Sequence, residues 1–555
     1  MSLQLRKKAG GDSTGSLLLR AYPAAVLAGF VIVLISAAFQ RFALPLIPVF
    51  DPDTRGYLAP ALSMLSGGPM IQVDERAFFY PAILLAVLKA TGSFSAIVVF
   101  QHAVSLACGV VWMAVWWSWM SFLPKSRVNF LLAPWIGLAG VALYLWSSDT
   151  IFFGIQVRPE AVFPLFASLQ LYCQMIYIRA RWPAEPDDAN GLRACIGGAG
   201  AIVFAVMAYY LKPSWGLAVL TSPILLLAGL IFQRGTFSKA TNACPLVLGG
   251  LLAVLFVVAL PRALGWVPEN EPGNFLPRHL FSVHADIILD DKQRRVSSGL
   301  AAPDEIRLAG SLSRSLEESR AALGPYRLLG HNPDYLMYGS AALADLPGVT
   351  GSRQLRAFYV SSYLESLRHF PDRYFRKWFV QIRAAVRPDP KFLFRSTGKL
   401  KKLYEISSGC QIPPSASLRQ DLVRSMESVA AETRMLATCL PLKTQTGPGW
   451  LRPAGEAGSL LLSASLGLCV VSLAAVPWGL KRHTRAVMSA ALVLGSFLLS
   501  AFTVALVHSF DIDRYNSLQS WIAWLVISCG AALFFSYAGT LIQRVVSAVR
   551  PRPQN

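Results

Sequence analysis

The chain has 555 residues, 54% of them hydrophobic and only 15% charged, with a mean hydropathy of +0.46. Soluble proteins carry about a quarter charged residues, so this composition excludes an ordinary soluble domain and points to a polytopic membrane protein. The net charge of +20 is spread as short Lys/Arg tracts between apolar runs rather than as a basic and aromatic face, a pattern that fits the positive-inside rule and not nucleic-acid binding.

In chain order, residues 1–20 form a polar segment with Arg6, Lys7, Lys8 and Arg20. Crossing a bilayer takes roughly 20 apolar residues. Such runs lie near 21–43, 94–120, 129–147, 159–179, 194–211, 213–232, 243–261, 457–479, 486–508 and 518–542, about ten transmembrane helices. No small-residue cleavage site follows the first run, which reads as a signal anchor. The stretch FFYPAILLAVLKA (78–90) is too short for an ordinary span and reads as a re-entrant or tilted helix. With that stretch uncrossed, the basic loops Lys125/Arg127, Arg179/Arg181/Arg193, Arg234/Lys239 and Lys481/Arg482/Arg485 share a side with the N-terminus. The tail with Arg544, Arg550 and Arg552 joins them, which makes that side the cytoplasm.

The expected architecture is α-helical and polytopic. A cytoplasmic basic N-terminus (1–20) leads into an N-terminal transmembrane module (21–262), whose first outer loop is 44–77. An extracytoplasmic, mainly helical domain (263–455) sits between spans seven and eight, and a C-terminal module (456–555) ends in a basic cytoplasmic tail. Within the domain, PDEIRLAGSLSRSLEESRAAL (303–323), SRQLRAFYVSSYLESLRHF (352–370) and SLRQDLVRSMESVAAETRMLATCL (417–440) carry apolar residues at helical spacing. The inner, plasma membrane is the expected location.

Four charged groups then fall on the extracytoplasmic side. The first is Asp51, Asp53, Arg55 and Tyr57, followed by Asp74, Glu75, Arg76 and Tyr80. The second is Asp149, Arg158 and Glu160; the third is His508, Asp511, Asp513, Arg514 and Tyr515; Lys212 stands in the LKPSW turn. Each has a plain reading. Asp53 N-caps a helix beginning at Asp-Pro-Asp, Arg158 and Glu160 flank a helix start at Pro159, 508–516 is a polar turn, and Lys212 snorkels to the interface. Taken together they suit transfer from a lipid phosphate. A carboxylate can deprotonate an acceptor hydroxyl, and guanidinium groups can neutralise a departing phosphate. No nucleotide-binding loop is present in the sequence, so a lipid-linked donor is the activated substrate this chemistry calls for.

Three stretches carry a family resemblance: PDTRGYLAPALSMLSGG (52–68), RAFFYPAILLAVLKATGSFSAIVVFQHAVSLACG (76–109) and DIDRYNSLQSWIAWL (511–525). They resemble the GT-C superfamily of polytopic glycosyltransferases, which includes protein O-mannosyltransferases and the aminoarabinose and galacturonic acid transferases of lipid A. The resemblance implies a catalytic carboxylate at Asp53, or at Asp51 if the register differs by a turn. It implies donor-phosphate and substrate contacts from Arg514, Tyr515, Arg158, Glu160, Lys212, Tyr57, Arg55 and Arg76. The partners it implies are the bilayer, a polyprenyl-phosphate-sugar donor and a glycan, lipid or protein acceptor, in an inverting transfer. The chain departs from the family in having Asn516-Ser517 where a proline usually follows Arg-Tyr, and in placing its large domain before the last three spans. Two other readings stand beside this one. An O-antigen ligase or polymerase would rely on Arg368, His369 and His331, and a flippase of lipid-linked sugars would show paired internal halves, of which there is no trace.

Of eight cysteines, Cys108, Cys173, Cys195, Cys244, Cys469 and Cys529 lie in or beside apolar runs and read as small hydrophobes. Cys410 and Cys439, in the domain, form a candidate disulfide, with two unrelated thiols as the alternative. No cofactor is expected. A divalent cation held by Asp51, Asp53, Asp149 and Glu160 is the alternative.

Overall fold

The computed structural model of the chain describes residues 13–182, 190–231, 239–268, 275–340, 352–388, 397–410, 417–447, 452–475, 483–510 and 513–549. Residues 1–12, Arg234, Lys481, Arg482, Asp511, Arg550 and Arg552 lie outside those. Among the described residues, nine helices are long and apolar enough to cross a membrane: Tyr22–Phe42, Ser95–Met120, Arg127–Trp146, Pro159–Arg181, Gly191–Leu211, Ala243–Ala263, Glu456–Ala475, Thr484–Val507 and Arg514–Val546. Helix Phe79–Thr91 has 13 residues and stops where Gly92 adopts φ 65°, a left-handed conformation open to glycine.

The run expected at 213–232 is shorter than a span. Two 3₁₀ turns, Pro213–Trp215 and Ala218–Leu220, precede a helix confined to Thr221–Ile231. Polar side chains explain the break. Gln170 donates to Ser222 (3.1 Å) and Gln174 donates to Thr221 (3.1 Å), drawing the start of this segment into the bundle rather than into lipid.

Bundle packing in a membrane depends on close contact and satisfied polar groups rather than on the hydrophobic effect. A tryptophan stripe on helix Ser95–Met120 shows both. Trp112, Trp116 and Trp119 stack with ring centroids 6.3 and 5.0 Å apart. Their indole N–H groups donate to the carbonyls of Trp521 (3.1 Å), Ala133 (3.0 Å) and Ala486 (3.1 Å). The stripe thereby ties the second span to the last two, and so joins the N- and C-terminal modules at the level of one helix.

The expected helices of the long insertion are present as Pro303–Ala321, Ser352–His369 and Gln420–Cys439, with Phe275–Val283, Ala285–Ser297, Pro371–Val386 and Leu400–Gly409 between them. Its first part has a core of its own around Phe281, Ile288, Leu312, Leu316, Leu336 and Tyr359, each such burial stabilising by about 1.5–3 kcal/mol. Leu400, Tyr404, Leu418 and Leu422 instead join the main core. Tyr404 donates to the Ile47 carbonyl (3.0 Å) and Ser407 accepts from the Phe50 amide (2.8 Å), pinning the segment that leads into Asp51. A two-residue parallel pairing of Met70–Ile71 with Trp266–Val267 ties the far side of the same loop to the start of the insertion.

The candidate disulfide is corrected. Cys410 and Cys439 are free thiols, and Cys195 is bonded to Cys244 instead. Helices Leu400–Gly409 and Gln420–Cys439 run antiparallel, since Lys401 at the start of one donates to the Thr438 carbonyl (3.2 Å) at the end of the other. Cys410 therefore lies about 13 Å along the helix from the Cys439 end, beyond the reach of a disulfide. We expect maleimide to modify exposed Cys439 without prior reduction; protection reversed by reductant would contradict this pairing.

Candidate active site

The helix Thr54–Leu65 begins at the Asp-Pro-Asp turn, and Asp51 rather than Asp53 secures it. Asp51 Oδ1 accepts from the amides of Asp53 (2.9 Å) and Thr54 (3.1 Å) and from Thr54 Oγ1 (3.2 Å). Asp53 makes no side-chain cap hydrogen bond. The capping role read from the sequence falls to its neighbour, and the Asp53 carboxylate is left to turn elsewhere.

It turns into a cage of arginines. Oδ1 receives Arg76 Nη2 at 2.8 Å, while Oδ2 receives Arg514 Nη1 at 2.8 Å and Arg158 Nη2 at 3.3 Å. Arg158 also donates through Nε to Asp51. A second pair lies alongside: Lys212 Nζ donates to Glu160 Oε1 (2.7 Å), and Arg514 Nε is 3.7 Å from that oxygen. Arg514 therefore spans the two carboxylates. Four cations face three carboxylates here, so the cluster carries one net positive charge, which suits an anionic ligand.

Aromatic rings hold the cations in place. Arg76 lies 5.1 Å from the Tyr57 ring centroid, and both Arg514 (5.3 Å) and Lys212 (5.4 Å) lie over Tyr515. Tyr57 packs edge-on against Tyr80 at 5.3 Å. Tyr80 donates to Gln101 (2.5 Å), whose amide donates to the Gly154 (3.0 Å) and Gln156 (2.9 Å) carbonyls. A short left-handed turn aims Arg76: Asp74 and Glu75 have φ of 52° and 55°, a strain of the order of 1–3 kcal/mol each. Glu75 is anchored by the Phe275 amide (2.8 Å). Room for Arg76 comes from Gly56, where a Cβ would stand 2.8 Å from Arg76 Cγ. We expect Gly56→Ala to push Arg76 off Asp53 and lower kcat about tenfold, with Gly310→Ala, inside helix Pro303–Ala321 with open space around it, as the control for helix effects.

Burial opposes the charge on Asp53, yet Arg514, Arg158 and Arg76 outweigh it and hold its carboxyl below the usual range. Burial pushes the Lys212 amine down to about 8, against the pull of Glu160. The His508 and His279 rings pack at a tilt with centroids 4.6 Å apart, and His508 lies 4.5 Å from Tyr515. These two rings join the insertion to the site, and burial lowers the pKa of both imidazoles.

Of the residues picked out in the sequence, Asp51, Asp53, Tyr57, Arg76, Arg158, Glu160, Lys212, Arg514 and Tyr515 meet in this cluster. Arg55 does not: it is exposed on the opposite face of its helix and makes no ion pair with a described residue. Asp149 accepts from Ser517 (2.6 Å). His508, also picked out in the sequence, and Gln101, Gly56 and His279, which were not, extend the cluster. Gln101 carried a signal, being a buried amide inside a membrane-length apolar helix. Among the described residues, no group of three or more His, Cys, Asp or Glu is placed to hold a metal ion.

No protein-family model and no curated protein matches this chain. Two solved structures are similar to it. One is a crystal structure of ArnT from Cupriavidus metallidurans in the apo state, with 13% identity, 87% of this chain and 78% of that chain covered, and a TM-score of 0.29. The other is ArnT from the same organism bound to undecaprenyl phosphate, with 11% identity, 89% and 78% covered, and a TM-score of 0.25. Scores this low carry no functional inference.

Proposed function

We propose that this chain is a membrane glycosyltransferase that moves a sugar from a polyprenyl-phosphate donor to the hydroxyl of an extracytoplasmic acceptor, with inversion. The observation that carries the reading is one carboxylate, Asp53, held by three arginines beside a Glu160–Lys212 pair at one end of a helix bundle. In the resting cluster those arginines make Asp53 a weak base. A donor phosphate entering the site competes for Arg514 and Arg158, and as they turn to it the Asp53 carboxylate loses its partners and gains basicity. Asp53 then takes the acceptor O–H proton, and the acceptor oxygen bonds to the anomeric carbon. The bond from that carbon to the phosphate oxygen breaks, with its electron pair leaving on polyprenyl phosphate. Arg514, Arg158 and Lys212 balance that charge.

The test is transfer from synthetic polyprenyl-phosphate sugars by the purified, lipid-reconstituted protein, with donor binding measured separately. Product from a nucleotide sugar but none from any polyprenyl-phosphate sugar would overturn the reading. A pH dependence follows from Lys212. A lysine with its pKa lowered to about 8 is charged below that pH and loses its charge as pH rises through it, well before an ordinary lysine does. Donor KM is expected to rise above about pH 8, and Lys212→Arg, which stays protonated, should flatten that limb. A limb unchanged in the variant would remove Lys212 from the phosphate site.

The two histidines of the ligase reading make contacts inside the insertion. His369 pairs with Asp291 (2.7 Å) and His331 contacts the Ser282 carbonyl (2.9 Å), both partners lying within the insertion.

A further inference from the structure

Helix Pro371–Val386 is strongly amphipathic, and its apolar surface is wider than the part covered by protein. Tyr374, Trp378, Gln381 and Ala385 are buried on one side. Phe375 and Phe379, 64% and 67% exposed, continue through half-buried Ile382 and Val386 as a second stripe, spaced i, i+4, i+7, i+11. Exposed Arg376 and Arg383, seven positions apart, flank that stripe, and neither makes an ion pair with a described residue.

The helix's neighbours fix its level relative to the membrane. Trp378 packs on Phe502 at 5.8 Å, and Ala385 packs with Ala501 and Val504, all three in the last turns of the span Thr484–Val507. The Val386 carbonyl accepts from Ser463 (3.2 Å), seven residues inside the span Glu456–Ala475, a depth of about 10 Å. One turn away on the same face as Ser463 stands Leu460, 67% exposed. The phenylalanine stripe thus runs into the lipid-facing side of a span, at the depth where interfacial helices settle.

We propose that helix Pro371–Val386 lies in the headgroup layer of the bilayer, with Phe375, Phe379, Ile382 and Val386 among the acyl chains and Arg376 and Arg383 on lipid phosphates. The arrangement uses the lipid surface as a support that sets the height of the insertion over the arginine cluster. It is independent of which reaction the cluster performs.

The experiment uses the full chain in nanodiscs of phosphatidylethanolamine and phosphatidylglycerol. A bimane label is placed at Phe379→Cys, or at Phe375→Cys as a second variant, in a Cys410→Ser/Cys439→Ser background. A label at Leu300→Cys, 72% exposed on the insertion, is the aqueous reference. The label at 379 should be quenched by doxyl-lipid and shielded from iodide, and the reference should show the reverse. Iodide quenching at 379 equal to that at 300 would place the stripe in water and overturn the proposal. Shielding from both quenchers would place a protein, a second copy included, on the stripe and overturn it equally.

Discussion

Asp53→Asn is expected to lower kcat for sugar transfer by about 10²–10⁴-fold, the range a positioned general base contributes, with donor binding retained or tightened. The second half of that expectation is the more diagnostic. Asp53 neutralises Arg76, Arg158 and Arg514 in the resting site. An amide keeps the shape but adds a net positive charge to the phosphate-facing side. A variant that merely unfolded would lose binding and turnover together. Asp51→Asn is the paired control. Asn is as good as Asp in a turn of this kind, so the helix start survives, the Arg158 contact weakens and turnover should fall far less. If Asp51→Asn is instead the inactive one, the base is misassigned.

Arg514→Lys is the second large effect. The guanidinium reaches Asp53 at 2.8 Å through one nitrogen and approaches Glu160 through another at 3.7 Å, a fork that an ammonium point charge cannot reproduce. Loss of a donor to a developing phosphate charge costs about 10²–10³ in kcat. Donor KM should rise in parallel, because the same fork meets the phosphate in the ground state. Arg158→Lys should cost less, since Asp51 still positions the ammonium. Steady-state kinetics with varied donor separates the two terms. Equal, small effects in both variants would mean that the arginines serve structure alone.

How much of this was legible in the sequence depends on the distance over which each feature is encoded. Apolar runs encode spans locally, so the long helices could be read directly. The segment at 213–232 misled because Thr221 and Ser222, near its middle, are claimed by Gln170 and Gln174 on another helix, a contact no window reveals. Asp53 and Arg514 were singled out through side of membrane and family resemblance. Which of two aspartates caps the helix was not readable, because Asp51 and Asp53 both suit a turn and only the fold decides which carboxylate faces the arginines. Arg55 was included because it lies in the stretch that carries the resemblance, and helical geometry sends it outward. The Cys195–Cys244 link was hidden by composition, since two thiols in apolar runs look like small hydrophobes until their helices cross.

Asp53 and Arg514 are 461 positions apart, and their contact closes the cluster. A chain made from its N-terminus threads nearly all of its helices before Arg514 leaves the ribosome. Until the final helix enters the bilayer beside the tryptophan stripe, Asp53 has only part of its cage, and the cluster is incomplete. Nascent or C-terminally clipped protein therefore lacks the completed arginine cage, and whatever the cluster does must wait for the last helix.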